Sequence, residues 1–351
     1  MNRTTRRRLI PALMLAAVLT VTLFALAAAN GGVGVNDAEL GYVTAKAAGT
    51  TEDGVSYGTN DILIFNGDQW DIYFEGDDYG LESGKHKITA IDRPYQYFTV
   101  YGNEQAAEVG PDDTYFYEEI YMTFDTAKVA LPSYWPGTAR GEDVVGFWRD
   151  EYYDSSADET YYAWGFYPAI DGSDIGLTTQ DERIDGLYFF PLYLLNGAEA
   201  DFAAQNGCVT WALVSTHGAY RVPSAFGGTL KGDGEDVLQL CVVEWEWQSD
   251  DTEAYWVGQW DNSELGAPKN SIIAIDYDEV SDDGSYYFMT KGQFNAFDAV
   301  GGHSMIFRWD GLNWLFEDPF YDFNGSYPRL NGTAVGLDLE YELACGGADV
   351  C

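Results

Sequence analysis

Basic side chains are what this sequence has least of: 18 lysines and arginines stand against 57 aspartates and glutamates, a formal net charge of −39, and histidine occurs three times. That shortage excludes a nucleic-acid binder, because releasing counterions from phosphate needs a basic groove. It excludes attraction to an anionic membrane surface on the same ground. His86, His217 and His303 are isolated, with neither a paired-histidine zinc motif nor a nucleophile elbow beside them. No glycine-rich loop ends in a lysine that would hold a phosphate, so no cofactor is indicated. Four cysteines without close pairing exclude structural zinc. Helical periodicity is nearly absent, with one short helix expected around Ala198 to Gln205. What is plentiful is apolar and aromatic: 46% hydrophobic and 16% Phe, Trp or Tyr, too much for a disordered acidic chain.

One long uncharged run exists, at the start. Arg3, Arg6, Arg7 and Arg8 precede 21 uncharged residues from Leu9 to Ala29, which end in Ala27-Ala28-Ala29 before Asn30. A basic head, an apolar run and small residues before a polar break predict a cleaved signal peptide over residues 1–29 and one domain over 30–351. An uncleaved anchor is the competing reading, since 21 residues can span a bilayer. No membrane insertion is expected after cleavage. Four arginines and no acid leave with the leader, taking the net charge to −43. In an exported chain an even cysteine count predicts disulfides. Of three connectivities, Cys208–Cys241 is expected because both lie in apolar segments that the repeat makes neighbours, and Cys345–Cys351 because it closes a small terminal loop.

The strongest signal is internal repetition. Trp70, Trp164 and Trp256 are 94 and 92 residues apart, and each leads into an acidic turn: Glu75-Gly76-Asp77-Asp78-Tyr79-Gly80, Asp171-Gly172-Ser173-Asp174-Ile175-Gly176 and Asp261-Asn262-Ser263-Glu264-Leu265-Gly266. Ile91-Asp92, Ile184-Asp185 and Ile275-Asp276 follow. Glu142-Asp143-Val144 and Glu235-Asp236-Val237 recur 93 residues apart, with Asn60-Asp61-Ile62 and His303-Ser304-Met305 in the same slot. The segments between turns read as strands. In Val243-Glu244-Trp245-Glu246-Trp247 apolar and acidic residues alternate with period two. Between Glu142 and Gly234 four strands are expected, at Asp143–Trp148, Tyr161–Ile170, Ile184–Phe190 and Val209–Ser215, with Tyr95 to Glu118 and Pro191 to Gly207 as insertions.

Four strands per unit predicts an all-β, four-bladed β-propeller with four-stranded blades; tandem β-sandwiches, needing about seven strands per period, are the alternative. Blades are expected to open at Trp70, Trp164 and Trp256, and the two termini to supply two strands each to the fourth. The runs DGSDIGLTTQDERIDGL (Asp171 to Leu187), GDGEDVLQL (Gly232 to Leu240) and GAPKNSIIAID (Gly266 to Asp276) resemble repeats of largely uncharacterised exported bacterial proteins. That resemblance implies propeller blades and an exterior location, and no activity.

Three kinds of chemistry are open to such a chain. Calcium takes oxygen ligands from flexible acidic loops, and Asp171, Asp174, Asp261, Glu264, Asp276 and Asp278 are its candidate ligands; ordinary acidic turns explain the same residues. A pair of carboxylates flanking a sugar would make a glycan-active hydrolase, but no pair stands out and no catalytic residue is assigned. Trp135, Trp211, Trp245, Trp247, Trp309 and Trp314 can stack on sugars or fill the core. The expectation is a secreted, non-catalytic binding or structural module at the cell exterior, its partner an extracellular protein or glycan.

Overall fold

Residues with β-branched and aromatic side chains dominate the segments between the acidic turns, and in the computed structural model those segments are strands. The structure describes residues 40–51, 53–65, 69–93, 97–99, 114–132, 137–154, 157–190, 192–246, 251–261, 272–277, 286–290, 294–296, 299–301, 306–309, 314–316 and 334–340. The expected leader, Cys345, Cys351, Glu264 and Asp278 lie outside them. Residues 38–351 cluster as one unit.

Among the described residues the strands build one pattern four times. The first sheet contains β1 (Leu40–Ala45), β4 (Ile62–Phe65) and β5 (Trp70–Phe74), with a small hairpin, β2 (Gly49–Thr50) and β3 (Ser56–Tyr57), inserted after β1. The second runs β6 (Ile88–Asp92), β8 (Thr114–Phe124), β11 (Val144–Asp154) and β12 (Glu159–Ile170). Here β7 (Tyr97–Thr99) pairs beside β8, and the hairpin is β9 (Val129–Ala130) and β10 (Thr138–Ala139). The third runs β13 (Ile184–Phe190), β14 (Thr210–Thr216), β17 (Val237–Glu244) and β18 (Glu253–Trp260), with hairpin β15 (Tyr220–Pro223) and β16 (Thr229–Gly232). The fourth runs β19 (Ile272–Tyr277), β20 (Tyr286–Thr290), β23 (Ile306–Trp309) and β24 (Trp314–Phe316), with hairpin β21 (Phe294–Ala296) and β22 (Ala299–Gly301). The final strand, β25 (Ala334–Glu340), returns to the first sheet and pairs with β1, giving the order β25-β1-β4-β5. All these pairings are antiparallel.

The division of the first sheet between the termini is therefore three strands and one, not two and two. The reason is that the tryptophan strands end a sheet instead of opening one: β5, β12, β18 and β24 are each the last strand of their sheet. The register also shifts one anchor. Ile62 faces Phe74, Val144 faces Ile170 and Val237 faces Trp260, so the partner of Trp70 and Trp256 in the second sheet is Phe166. Phe166 is buried like Trp70 and Trp256, whereas Trp164, two residues earlier, is half-buried.

Four hydrophobic clusters fill four sheet-to-sheet seams. Tyr42, Ile62 and Phe74 of the first sheet meet Ile88, Met122 and Phe147 of the second. Ala90, Tyr121 and Val144 of the second meet Leu187, Val214 and Trp256 of the third. Tyr188, Trp211 and Leu213 of the third meet Ile272, Ile275 and Phe288 of the fourth. Ile273, Tyr287 and Met289 of the fourth meet Val43, Leu63 and Leu337 of the first. Neighbouring side chains on one strand point to opposite faces, so each sheet is apolar on both. That is why β13 is buried at every position and β17 along Val237–Val242. Of the alternation expected at Val243–Trp247, Val243 and Glu244 end β17, Trp245 and Glu246 follow outside the strand, and Trp247 lies outside the described residues. The first strands of the four sheets pack together as well, β25 on β6, β6 on β13, β13 on β19 and β19 on β25.

The seams carry recurring polar stitches. The Ile88, Ile184 and Ile272 N–H groups donate to the carbonyls of Thr59, Gly141 and Gly234 in the preceding sheets, at 3.0, 3.0 and 2.8 Å. Thr123 Oγ1 and Ser215 Oγ donate to the Ile184 and Ile272 carbonyls at 2.9 Å each, so buried backbone oxygens at the seams are satisfied. The expected helix is present as α1 (Gly197–Asn206), closed by Gly207 at φ 73°. It leads into Cys208, which forms a disulfide with Cys241 on β17. Part of the expected insertion before Glu118 is strand, because β8 begins at Thr114.

Candidate functional site: recurring carboxylates at the sheet seams

The recurring Asp of the acid-acid-apolar element staples a turn to a strand. Asp61 accepts from the N–H of Gly58 at 2.6 Å and of Gly76 at 2.9 Å. Asp143 accepts from Arg140 at 2.7 Å and Gly172 at 3.0 Å. Asp236 accepts from the N–H of Asp233 at 3.2 Å and from the Tyr220 hydroxyl at 3.0 Å. Gly76 and Gly172 open the acidic turns because the neighbouring backbone comes too close for a side chain: a Cβ would lie 2.3 Å from the Asn60 or Glu142 carbonyl oxygen. The carboxylates that the repeat makes most conspicuous are thus occupied in holding the turns.

Burial pushes Asp143 up to about 7, helped by the carboxylates of Asp171 and Glu142, while the Arg140 and Gly172 amides oppose the rise. Its ordinary value is near 4. Between these limits the folded chain holds a proton that the unfolded chain has lost, so stability falls as pH rises from about 4 to 7. Burial raises Glu142 and Glu246 in the same sense. The expected result is a melting temperature about 5 °C higher at pH 5 than at pH 8, a difference worth on the order of 2 kcal/mol for a domain of this size. Asp143→Asn is expected to narrow that difference, and calorimetry at both pH values checks it.

Of the six expected calcium ligands, Asp171 and Asp174 come together, and the third member of their group is Glu246, which the sequence did not nominate. One carboxylate oxygen from each lies within 4.8 Å of the others. The turn after β12 reaches the β17–β18 connection here, and Thr252 organises the contact. Its N–H donates to Asp174 at 2.9 Å, its hydroxyl donates to Glu246 at 3.2 Å, and that hydroxyl accepts from the Asp171 N–H at 2.9 Å. Ser173 holds Asp171 from the other side, with its N–H at 2.8 Å and its hydroxyl at 2.6 Å. Three carboxylates and a hydroxyl are the oxygen donors that a hard divalent cation accepts.

Asp261 and Asp276 stand elsewhere. Asp261 follows β18; burial raises the Tyr220 phenol, and the carboxylates of Asp236 and, less, Asp261 add to that rise. Asp276 is buried on β19 opposite Tyr287. The same register position holds Asp92 on β6 opposite Tyr121 and Asp338 on β25 opposite Tyr42; on β13 it is Tyr188, opposite Leu213. Three of the four first strands thus carry an aspartate across from a tyrosine. The Ile184-Asp185 pair does not belong to this set: Asp185 lies three residues earlier and engages His217 Nδ1 at 2.9 Å. His86 is likewise structural, accepting at Nδ1 from the Glu82 N–H at 2.7 Å. Of the tryptophans named as sugar platforms, Trp211 is core, and Trp245 stacks on Tyr121 with ring centroids 5.4 Å apart.

A charged cluster not foreseen from the sequence lies in the seam between the first two sheets. Glu118 on β8 is fully buried between Arg149 on β11, in direct contact, and Arg93, whose Nη2 lies 3.8 Å from Glu118 Oε1. The Arg93 guanidinium sits over the Tyr42 ring at 3.7 Å and near Tyr73 at 4.5 Å; Arg149 donates to the Tyr79 hydroxyl at 3.3 Å. Burial raises Glu118 to about 7, with Arg149 acting against it. The only signal in the sequence was the rarity of arginine itself.

Protein-family models yield no match to this chain, and no curated protein matches it.

Proposed function

We propose that the chain is an exported four-bladed β-propeller serving as a binding or structural module at the cell exterior. The observation that carries this reading is the cyclic order of the sheet contacts. Four sheets of one pattern meet through four apolar seams, their first strands pack on one another in the same order, and the last strand of the chain completes the first sheet. Tandem sandwiches would pair sheets two by two and leave other faces uncovered; radial closure covers both faces of each. Export is supported by the Cys208–Cys241 disulfide and by the basic-apolar-small pattern of the first 29 residues. Among the described residues no helix is long and apolar enough to cross a membrane.

A binding role is favoured over hydrolysis by how the recurring acids are used. Asp61 and Asp236 accept backbone N–H groups within the fold, and a carboxylate fixed in this way is held back from transferring a proton to a sugar. Incubating the purified protein with a panel of plant, fungal and bacterial glycans is expected to release no product. Turnover that disappears on replacing one carboxylate would replace this reading with that of a glycan-active enzyme.

A further inference from the structure

One strand of the second sheet is built unlike its counterparts. Each sheet ends on an outer strand, but β12 has 12 residues against 5 in β5 and 8 in β18. Its neighbours β11 and β8, of 11 residues each, run alongside it, and the three strands continue past the apolar seams as an arm. Among the described residues no strand pairs beyond β12. An outer strand with an open row of backbone donors and acceptors is a template for another strand.

The arm has a definite chemistry. Glu159, Thr160, Tyr161, Tyr162 and Ala163 are all exposed, Tyr162 at 72% and Tyr161 at 51%. Tyr161 stands opposite Tyr152 with stacked rings 6.2 Å apart. Its hydroxyl donates to Glu159 at 2.9 Å, and the Tyr153 hydroxyl donates to Asp158 at 2.9 Å. The acids are thereby held beside the rings. Asp154, Asp158 and Glu159 lie at the tip, Glu151 stands three positions back opposite Tyr162, and no lysine or arginine lies among residues 150–163.

We propose that the β12 edge receives an extended segment of another protein carrying alternating basic and apolar side chains, added as a further antiparallel or parallel strand. Main-chain pairing supplies affinity. The four acids and the tyrosine faces select lysine or arginine through charge and cation–π contact. A second copy of this chain is disfavoured as the occupant, because its own arm and its net charge of −39 repel. This inference rests on the binding reading above and names the partner's chemistry.

The test uses the full chain and a fluorescein-labelled nine-residue peptide of alternating lysine and valine, with a glutamate–valine peptide as control, read by anisotropy. The lysine peptide is expected to bind in the micromolar range and to weaken at least tenfold between 50 and 500 mM NaCl; the glutamate peptide is expected not to bind. Changing Glu151 and Glu159 together to lysine should reverse that preference. Tyr161→Pro and Tyr162→Pro remove adjacent N–H groups, one facing β11 and one facing outward. The variant that keeps the parent melting temperature should lose binding at least tenfold. Binding unaffected by either proline, no binding by the parent, self-association in the ultracentrifuge that the prolines abolish, or retention on glycans lost in Tyr162→Ala would each overturn the proposal. The glycan turnover assay is independent of all these outcomes, so failure here leaves the non-catalytic reading to stand or fall by itself.

Discussion

Removing residues 329–351 is expected to abolish the cooperative thermal melt while leaving strand structure visible in the far ultraviolet. The segment lost includes β25, which pairs with β1 from Leu40 to Ala45 and packs against β6, β13 and β19. Without it β1 becomes an edge, Leu337 leaves the seam between the fourth and first sheets, and the first strands of three sheets lose a neighbour. Two buried faces would open at once, since each sheet is apolar on both sides. A buried aliphatic side chain contributes about 2 kcal/mol, and several would be exposed, against a total stability of about 5–15 kcal/mol for a domain. The near-ultraviolet melt is expected to lose its sigmoid, and a synthetic peptide of residues 329–345 added in excess is expected to restore it. A truncated chain that melts within about 3 °C of the intact one would show that the last strand does not complete the first sheet in solution.

Glu118→Ala is expected to lower stability by about 3–5 kcal/mol, because removing one partner of a buried ion cluster leaves the other charges without compensation. In a domain of this size that corresponds to a fall of about 10 °C. Arg93 has side-chain exposure of 3% and Arg149 of 28%, so the larger share of the loss is assigned to Arg93. Replacing the three together, Arg93→Met, Glu118→Leu and Arg149→Met, is expected to recover most of it, since apolar groups of similar volume fit between Tyr42, Tyr73 and Tyr79. Urea titrations of the single and triple variants check both values. A single variant within 1 kcal/mol of the parent would mean that water reaches the cluster and solvates the arginines.

Much of the fold was legible because turns carry their own chemistry. The strand expected at Ile184–Phe190 has those limits in the structure, and the one at Val209–Ser215 is displaced by a single residue. Trp164 misled because spacing along the chain counts bulges and loop residues alike. β11 shifts register between Val144 and Val145, and β17 between Gln239 and Leu240, so equal spacing did not mean equal position. The four small hairpins were not anticipated: two to four residues per strand leave no periodicity to read. Nor was the set of Asp92, Asp276 and Asp338, since it is defined by what stands opposite on another strand. Glu246 joined Asp171 and Asp174 for a similar reason; 72 residues of chain separate Asp174 from it, and only sheet packing removes that distance.

The sequence alone determined the β class, the repeated unit, the acidic turns and the Cys208–Cys241 pair, because hydrophobic period, turn residues and cysteine placement act over a few neighbours at a time. Tertiary structure decided where each sheet begins, which terminus supplies which strand, how Arg93, Glu118 and Arg149 meet, and that β12, with no strand beyond it among the described residues, runs past the seams. Those outcomes depend on which faces are buried against which, a property of pairs of sheets that no single stretch of chain contains.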